Sequence, residues 1–134
     1  MSEADRLANF HREHDGLSVH VVTPEQVYNE FASGAQDASA IRDFVRMFYE
    51  RSSTTSTLPK YLLLIGDGSY DNKSRLSVNT NYIVTCQSKN SLSPTSSYVC
   101  DDYFVQLDPT EGNSEAGGAD LPDVAIGRFP VKTL

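Results

Sequence analysis

The hydrophobic pattern of the chain is strongest in a short apolar run, Tyr61 to Gly66, which ends abruptly in Gly66-Asp67-Gly68. A run that is apolar at every position is typical of a strand buried on both faces, as in a parallel sheet covered by helices. In such sheets, the loops that leave the carboxyl ends of the strands form the functional edge. The pattern therefore predicts a central parallel strand, followed by a loop at that edge which carries Asp67, Ser69 and Asp71.

Three segments before this run carry apolar residues at helical spacing. The first covers residues 3–14, and the third runs from Asp37 to about Arg51. The second is short, because it begins at Thr23-Pro24-Glu25-Gln26, a capping box with proline at the first helical position, and ends near residues 33–34. The apolar face of the third helix is formed by Ile41, Phe44, Val45 and Phe48.

Further strands are predicted at Leu17–Val22, Tyr82–Thr85 and Val124–Phe129, and Tyr98-Val99 with Tyr103–Leu107 indicates a small hairpin. Alternation of strands and helices is typical of an α/β fold. We therefore expect a three-layer sandwich with a mainly parallel sheet and right-handed crossovers, plus the hairpin. By length, residues 1–134 form a single domain.

Composition and charge narrow the function classes. Hydrophobic residues make up 39% of the chain and charged residues 22%, which is typical of a globular protein. The net charge of -7 argues against nucleic acid as a partner, because nucleic-acid binding requires a basic face. No apolar run approaches the roughly 18 residues of a membrane span, and the charged start lacks the apolar core of a signal peptide.

The segment Gly66-Asp67-Gly68-Ser69 does not match a catalytic motif. Its serine is not flanked by glycines as in G-x-S-x-G, and it lacks the glycine and lysine spacing of a phosphate-binding loop. A tight turn in which Asp67 caps backbone amides is the simpler interpretation.

The cysteines and histidines predict no catalytic pair. Cys86 and Cys100 match no zinc-binding spacing, and we interpret them as two separate thiols, with a disulfide as the alternative. His11 and His14 lie on the flank of a helix and His20 lies inside a predicted strand, so none is at a strand end where a nucleophile would be useful. We therefore expect no catalytic residue in this chain.

Acidic residues are frequent in the predicted loops. Calcium takes hard oxygen ligands from such loops, although the chain contains no EF-hand pattern. Solvated or hydrogen-bonded loop acids are therefore the simpler interpretation, and a structural calcium ion is the alternative and the one cofactor that the sequence suggests. The candidate ligands are Asp101, Asp102, Asp108 and Glu111.

Five ordered segments carry a family resemblance: Asp15–Gly34, Leu62–Asp71, Gln87–Asn90, Ser97–Phe104 and Leu121–Pro130. They resemble the gingipain-type cysteine peptidases of Bacteroidetes, and most closely the sortases of the type IX, or Por, secretion system. The resemblance implies a caspase-like (flavodoxin-like) α/β catalytic region built of two subdomains, of which this chain is the N-terminal one. In the family, an opening strand precedes the first helix, and the catalytic histidine and cysteine follow the last matching segment. The chain is therefore expected to be truncated at both ends.

The resemblance implies a non-catalytic N-terminal subdomain of a gingipain-like cysteine endopeptidase or sortase, which packs against a downstream catalytic subdomain of the same polypeptide. Its cleft-edge residues would be Asp67, Ser69 and Asp71 after the apolar run, and Asp101-Asp102, which would shape one wall of the cleft for a protein or peptide substrate. The parent protein would be secreted or attached to the cell surface or outer membrane. The alternative function is a binding or scaffold module that shares the fold without catalysis.

The opening strand that the family implies has a consequence for the sheet edge. Without it, either Leu17–Val22 or the strand at residues 61–65 would carry unpaired amides and carbonyls. Such an edge favours pairing with a second chain, so the chain is expected to self-associate at high concentration.

Overall fold

The computed structural model describes residues 2–88, 93, 95–112 and 120–132. Its α-helices in these ranges are α1 (Glu3–His14), α2 (Pro24–Phe31) and α3 (Ala38–Arg51). Its strands are β1 (Tyr61–Ile65), β2 (Cys86–Gln87), β3 (Val99–Cys100) and β4 (Ala125–Phe129), and a 3-10 helix covers Asp102–Val105. Among these described helices, none has the length and apolar composition to cross a membrane.

The three predicted helices are confirmed, and local capping explains where each begins. Thr23 and Gln26 form a reciprocal capping box at the start of α2, and Pro24 is the first helical residue. Ser2 and Asp5 form the same arrangement at the start of α1. The side chain of Asp37 accepts a hydrogen bond from the amide of Ser39 at the start of α3 (2.8 Å).

The strands pair in two small sheets. β1 pairs with β4 in parallel, so that Leu62 lies beside Ile126 and Leu64 beside Arg128. β2 and β3 pair in antiparallel fashion, with Cys86 opposite Cys100. The protein therefore has a small α/β fold with parallel strands and a short antiparallel pair, in agreement with the coarse sequence prediction.

The core lies between the helices and one face of the parallel sheet. Leu64 of β1 is buried in a cluster with Val27 of α2, Ile41 of α3 and the fully buried Phe104 of the 3-10 helix. A second cluster joins α3 to the segment around β4, and Phe44, Leu62 and Ile126 contact both clusters. The buried members of the second cluster are Val45, Val105, Leu107 and Val124.

The expectation that the apolar run is buried on both faces is wrong in this structure. The side chains of β1 alternate, so Leu64 is buried whereas Tyr61 is 69% and Leu63 40% exposed. The helices α2 and α3 pack only on the face that carries Leu64. We call the opposite face of the parallel sheet the outer face. It consists of Tyr61, Leu63, Ile65, Ala125, Gly127 and Phe129.

Two predicted strands are not strands in the structure. The amides of Tyr82 and Ile83 both donate to the carbonyl of Asp67 (3.0 and 3.1 Å), so residues 82–85 bond to a loop instead of a strand. Residues 17–22 also lie outside the described strands, and the carbonyl of Val19 accepts its hydrogen bond from the Arg12 side chain.

The predicted hairpin is also placed differently. Tyr103–Leu107 is not its second strand, because Phe104 and Val105 are both fully buried and a strand would direct these neighbours to opposite faces. The 3-10 turn over Asp102–Val105 buries them together. The antiparallel pair is formed instead by β2 and β3, which brings residues 86–87 beside residues 99–100.

Candidate functional site

The carboxyl ends of β1 and β4 lie at one edge of the parallel sheet, as the sequence predicted for the functional loops. Ile65 is level with Phe129, and the ladder continues into the loop that follows β1. The amide of Gly66 donates to the carbonyl of Phe129 (2.9 Å), and the amide of Asp67 donates to that of Val131 (3.0 Å). The parallel pairing therefore continues past the ends of the two strands and fixes the first residues of the loop after β1.

Arg128 is the central charged residue at this edge. It lies on β4, and its side chain is only 13% exposed. Its Nε donates to Oδ2 of Asp101 and its Nη2 to Oδ1, both at 2.7 Å. This bidentate arrangement matches the planar guanidinium to the planar carboxylate and neutralises both charges in a largely buried setting.

The other donors of Arg128 bind main-chain carbonyls. Nη1 donates to Gly66 and Ile83 (3.1 Å each), and Nη2 also donates to Val84 (3.3 Å). A guanidinium has five N–H donors, and five bonds are formed here. Arg128 therefore joins the loop after β1, residues 83–84 and the start of the 3-10 helix, and it has no donor left for a substrate carboxylate.

Gly68 is required by close packing at this edge. A Cβ atom at Gly68 would lie 2.4 Å from Cγ2 of Thr85 and 3.2 Å from Nη1 of Arg128. The glycine thus allows the loop to approach residues 83–85 closely. This agrees with the interpretation of Gly66-Asp67-Gly68 as a tight turn rather than a catalytic motif.

The carboxylate of Asp67 contacts two side chains, those of Thr80 and Lys132. Its Oδ2 accepts from the hydroxyl of Thr80 (2.7 Å) and lies 3.8 Å from Nζ of Lys132. The expected capping of backbone amides by this side chain is not found among its described bonds. Instead, the main-chain carbonyl of Asp67 accepts from two amides in the segment that follows Thr80.

Ser69 and Asp71 also serve the internal structure of the loop. The main-chain amide of Ser69 donates to Oδ1 of Asn81 (3.0 Å), and the Ser69 hydroxyl accepts from the Asp71 amide (3.1 Å). Asp71 is buried, and its Oδ2 accepts from the amide of Leu76 (2.7 Å). The amides of Arg75 and Leu76 lower the pKa of the Asp71 carboxyl, since they stabilise its charged form.

The proposed calcium ligands are not brought together. Both carboxylate oxygens of Asp101 are engaged by Arg128, and Asp102 is exposed at the start of the 3-10 helix. Glu111 instead accepts from the amide of Asp108 (3.2 Å). Across the described residues, no three acidic, histidine or cysteine side chains are grouped to hold a metal ion. The described donor set therefore does not fit calcium.

Arg128 links Asp101, one of the five cleft-edge candidates, to the loop that carries Asp67. Sequence reasoning missed this role of Arg128. A signal was present, because Arg128 is the only charged residue in the apolar segment Val124–Phe129. A largely buried lone charge requires a partner, and the pairing with Asp101 supplies it.

The thiols and imidazoles have separate surroundings. His11 and His14 hydrogen-bond to Asp15 (2.6 and 2.8 Å), and His20 stacks on the ring of Phe48. Burial raises the pKa of the Cys86 thiol, and the neighbouring Cys100 thiol raises it further. A thiol with a raised pKa is a weak nucleophile at neutral pH, because little of it is ionised.

Comparison of the sequence with models of known protein families identifies one family. A sequence model described as peptidase family C25 matches residues 1–134, which is the whole chain. Neither the curated proteins nor the solved structures gave a significant match.

Proposed function

Because the chain belongs to peptidase family C25, the gingipain family, we propose that it is the non-catalytic N-terminal subdomain of a gingipain-like cysteine endopeptidase or sortase. The family match over residues 1–134 is the observation that carries this proposal. Within the family, we assign the parent protein to the PorU-type sortases of the type IX (Por) secretion system of Bacteroidetes. The support is the resemblance of the five sequence segments. Such a parent would be secreted or attached to the cell surface or outer membrane.

The surroundings of the three histidines support the non-catalytic role. A cysteine peptidase requires a thiolate within hydrogen-bond reach of an imidazole. Here His11 and His14 contact Asp15 and the ring of Phe10, and His20 stacks on Phe48. We therefore infer that the catalytic histidine and cysteine are supplied by a downstream subdomain of the same polypeptide.

The outer face of the sheet supports a docking role. Its side chains are apolar, and Tyr61, Leu63 and Phe129 are 69%, 40% and 50% exposed. Parallel strands are normally covered on both faces. We propose that the rest of the catalytic region covers the outer face and completes the three-layer sandwich. The uncovered face also supports self-association of the isolated chain.

The strand-end loops support a role at the substrate cleft. Arg128 holds the loop after β1 against Asp101, and the adjacent Asp102 is exposed. Ligands of open α/β sheets bind at the carboxyl ends of the strands. We propose that the loop carrying Asp67, together with Asp101-Asp102, forms one wall of a cleft for a protein or peptide substrate, and that Arg128 positions this wall.

The decisive experiment compares residues 1–134 with a longer polypeptide expressed from any coding sequence that follows Leu134. We expect residues 1–134 alone to hydrolyse no member of a peptide library, and the longer polypeptide to do so through a His-Gly histidine and a later cysteine. Hydrolysis by residues 1–134 that is lost on Cys86→Ala or Cys100→Ala would overturn the proposal. A longer polypeptide without the pair would favour the alternative, a binding or scaffold module of the same fold.

A substitution on the outer face tests docking separately from chemistry. Leu63→Asp in the longer polypeptide should lower its activity and loosen the two subdomains, as measured by limited proteolysis. Val78→Asp is the matched control, because Val78 is 82% exposed in a turn outside the strands. Equal effects of the two substitutions would contradict docking on the outer face.

A further inference from the structure

The short antiparallel pair places the only two cysteines of the chain directly opposite each other. Cys86 of β2 is the register partner of Cys100 of β3, and Gln87 is the partner of Val99. Residues at opposed positions of an antiparallel pair direct their side chains to the same face. The two thiols are therefore neighbours, although thirteen residues separate them in the sequence.

The register places the two backbones within disulfide range. Opposed residues of an antiparallel pair have Cα atoms about 4.5–5.5 Å apart. Disulfides are formed across Cα separations of about 4.4–6.8 Å. Cys86 and Cys100 can therefore be joined while β2 and β3 keep their pairing.

Both thiols are available for a covalent link. Both cysteines are free and partly buried. Burial and the facing thiol of Cys100 both raise the pKa of Cys86, because two thiolates side by side would repel each other. Within the described part of the chain, no third ligand stands beside them to make a metal site.

We propose that Cys86 and Cys100 are a modification site at which an intramolecular disulfide forms. The oxidant is a disulfide donor, either a low-molecular-weight disulfide or a protein oxidoreductase. One cysteine thiolate attacks a sulfur of the donor and releases one donor thiol, and the second cysteine then attacks the mixed disulfide and releases the other. The two cysteines lose two electrons and two protons in total, and the donor disulfide is reduced to two thiols.

The disulfide has a structural consequence at the candidate cleft. Asp101 follows Cys100 directly and holds Arg128 through both of its carboxylate oxygens. Closing the loop of residues 86–100 would anchor Asp101 to β2 and restrict the unfolded chain. A loop of this length stabilises a protein enough to raise the melting temperature of a domain of this size by roughly 5–10 °C.

Peptide mapping of residues 1–134 gives a direct test, because trypsin cleaves after Lys89, between the two cysteines. The dilute protein is equilibrated with oxidised glutathione, free thiols are alkylated, and the protein is digested without reduction. We expect peptides 76–89 and 90–128 to be joined, to separate on reduction, and to come from monomeric protein that has lost two hydrogens. The melting temperature should rise by roughly 5–10 °C on oxidation.

Cys86→Ser and Cys100→Ser are the matched controls, since serine closely resembles cysteine in size. Neither variant should give joined peptides, and neither should show the oxidation-dependent gain in melting temperature. The proposal would be overturned by wild-type protein in which both thiols remain open to alkylation. It would also be overturned by cysteines found only as mixed disulfides with glutathione, or joined only between two chains.

Discussion

Arg128 and Asp101 form a bidentate ion pair at the carboxyl end of the parallel sheet, with both N–O distances at 2.7 Å and side chains that are 13% and 25% exposed. The pair joins β4 to the start of the 3-10 helix. The same guanidinium binds the carbonyls of Gly66, Ile83 and Val84. One side chain thus maintains the arrangement of the loops that we assign to the cleft wall.

Arg128→Ala tests the energetic weight of this pair. The substitution leaves the Asp101 carboxylate and three carbonyls without their donor, and loss of one partner of a largely buried pair costs about 3–5 kcal/mol. The free energy of unfolding from urea denaturation should fall by that amount. Arg6→Ala is the control, because the Arg6–Glu3 pair is exposed and contributes about 0–1 kcal/mol. Equal losses for the two variants would contradict the assigned role.

Gly68→Ala tests the close approach of the loop to Thr85. The new Cβ would lie 2.4 Å from Cγ2 of Thr85, so the loop or residues 83–85 must shift. We expect a loss of about 1–3 kcal/mol in unfolding free energy, as is typical of overpacking. Gly127→Ala is the control, because its Cβ would meet Leu63 at 3.8 Å, an ordinary contact. Gly127→Ala should leave stability unchanged or raise it, since alanine restricts the unfolded chain.

We expect Asp71 to contribute to the loss of folding stability at low pH. Its carboxyl has a lowered pKa in the folded state because the amides of Arg75 and Leu76 donate to it. The stabilisation is present above the unfolded-state pKa of about 3.9 and is lost as pH falls through the lower folded-state pKa. Asp71→Asn should therefore flatten the fall in stability below about pH 4. Urea denaturation at several pH values measures this slope, and an unchanged slope would refute the prediction.

The calcium hypothesis can be tested by thermal melting in chelator and in millimolar calcium. Ligand binding to the folded state raises the melting temperature by mass action. We expect no rise, because Asp101 is engaged by Arg128 and the four candidate acids are not grouped in the described structure. A rise that is lost in the Asp102→Asn/Asp108→Asn double variant would restore the prediction made from the loop composition.

The local sequence determined the helices and the main strand. Thr23 and Gln26 cap α2 through groups three residues apart, and Asp37 caps α3 in the same local way. The apolar run over β1 also predicted a parallel strand, and its pairing with β4 confirms this. These signals could be read from the sequence because each acts within about one turn or one strand.

The tertiary structure decided which backbone groups pair and which faces are covered. Residues 82–85 have the composition of a strand, yet the amides of Tyr82 and Ile83 donate to Asp67, about fifteen residues earlier in the chain. Likewise, Tyr61 and Leu63 are apolar but exposed, because the described helices α2 and α3 pack on the opposite face. An apolar residue can be covered only where another element lies beside it, and its own segment does not specify that element.

The same distinction applies to the candidate site. The sequence by itself placed Asp67, Ser69 and Asp71 on a loop after β1, because the end of an apolar run is a local signal. Only the tertiary structure joined Asp101 to that loop through Arg128 and set Cys86 opposite Cys100. These contacts span 14 to 62 residues of sequence. Their geometry depends on how the strands pair and where the chain turns, and no short segment carries that information.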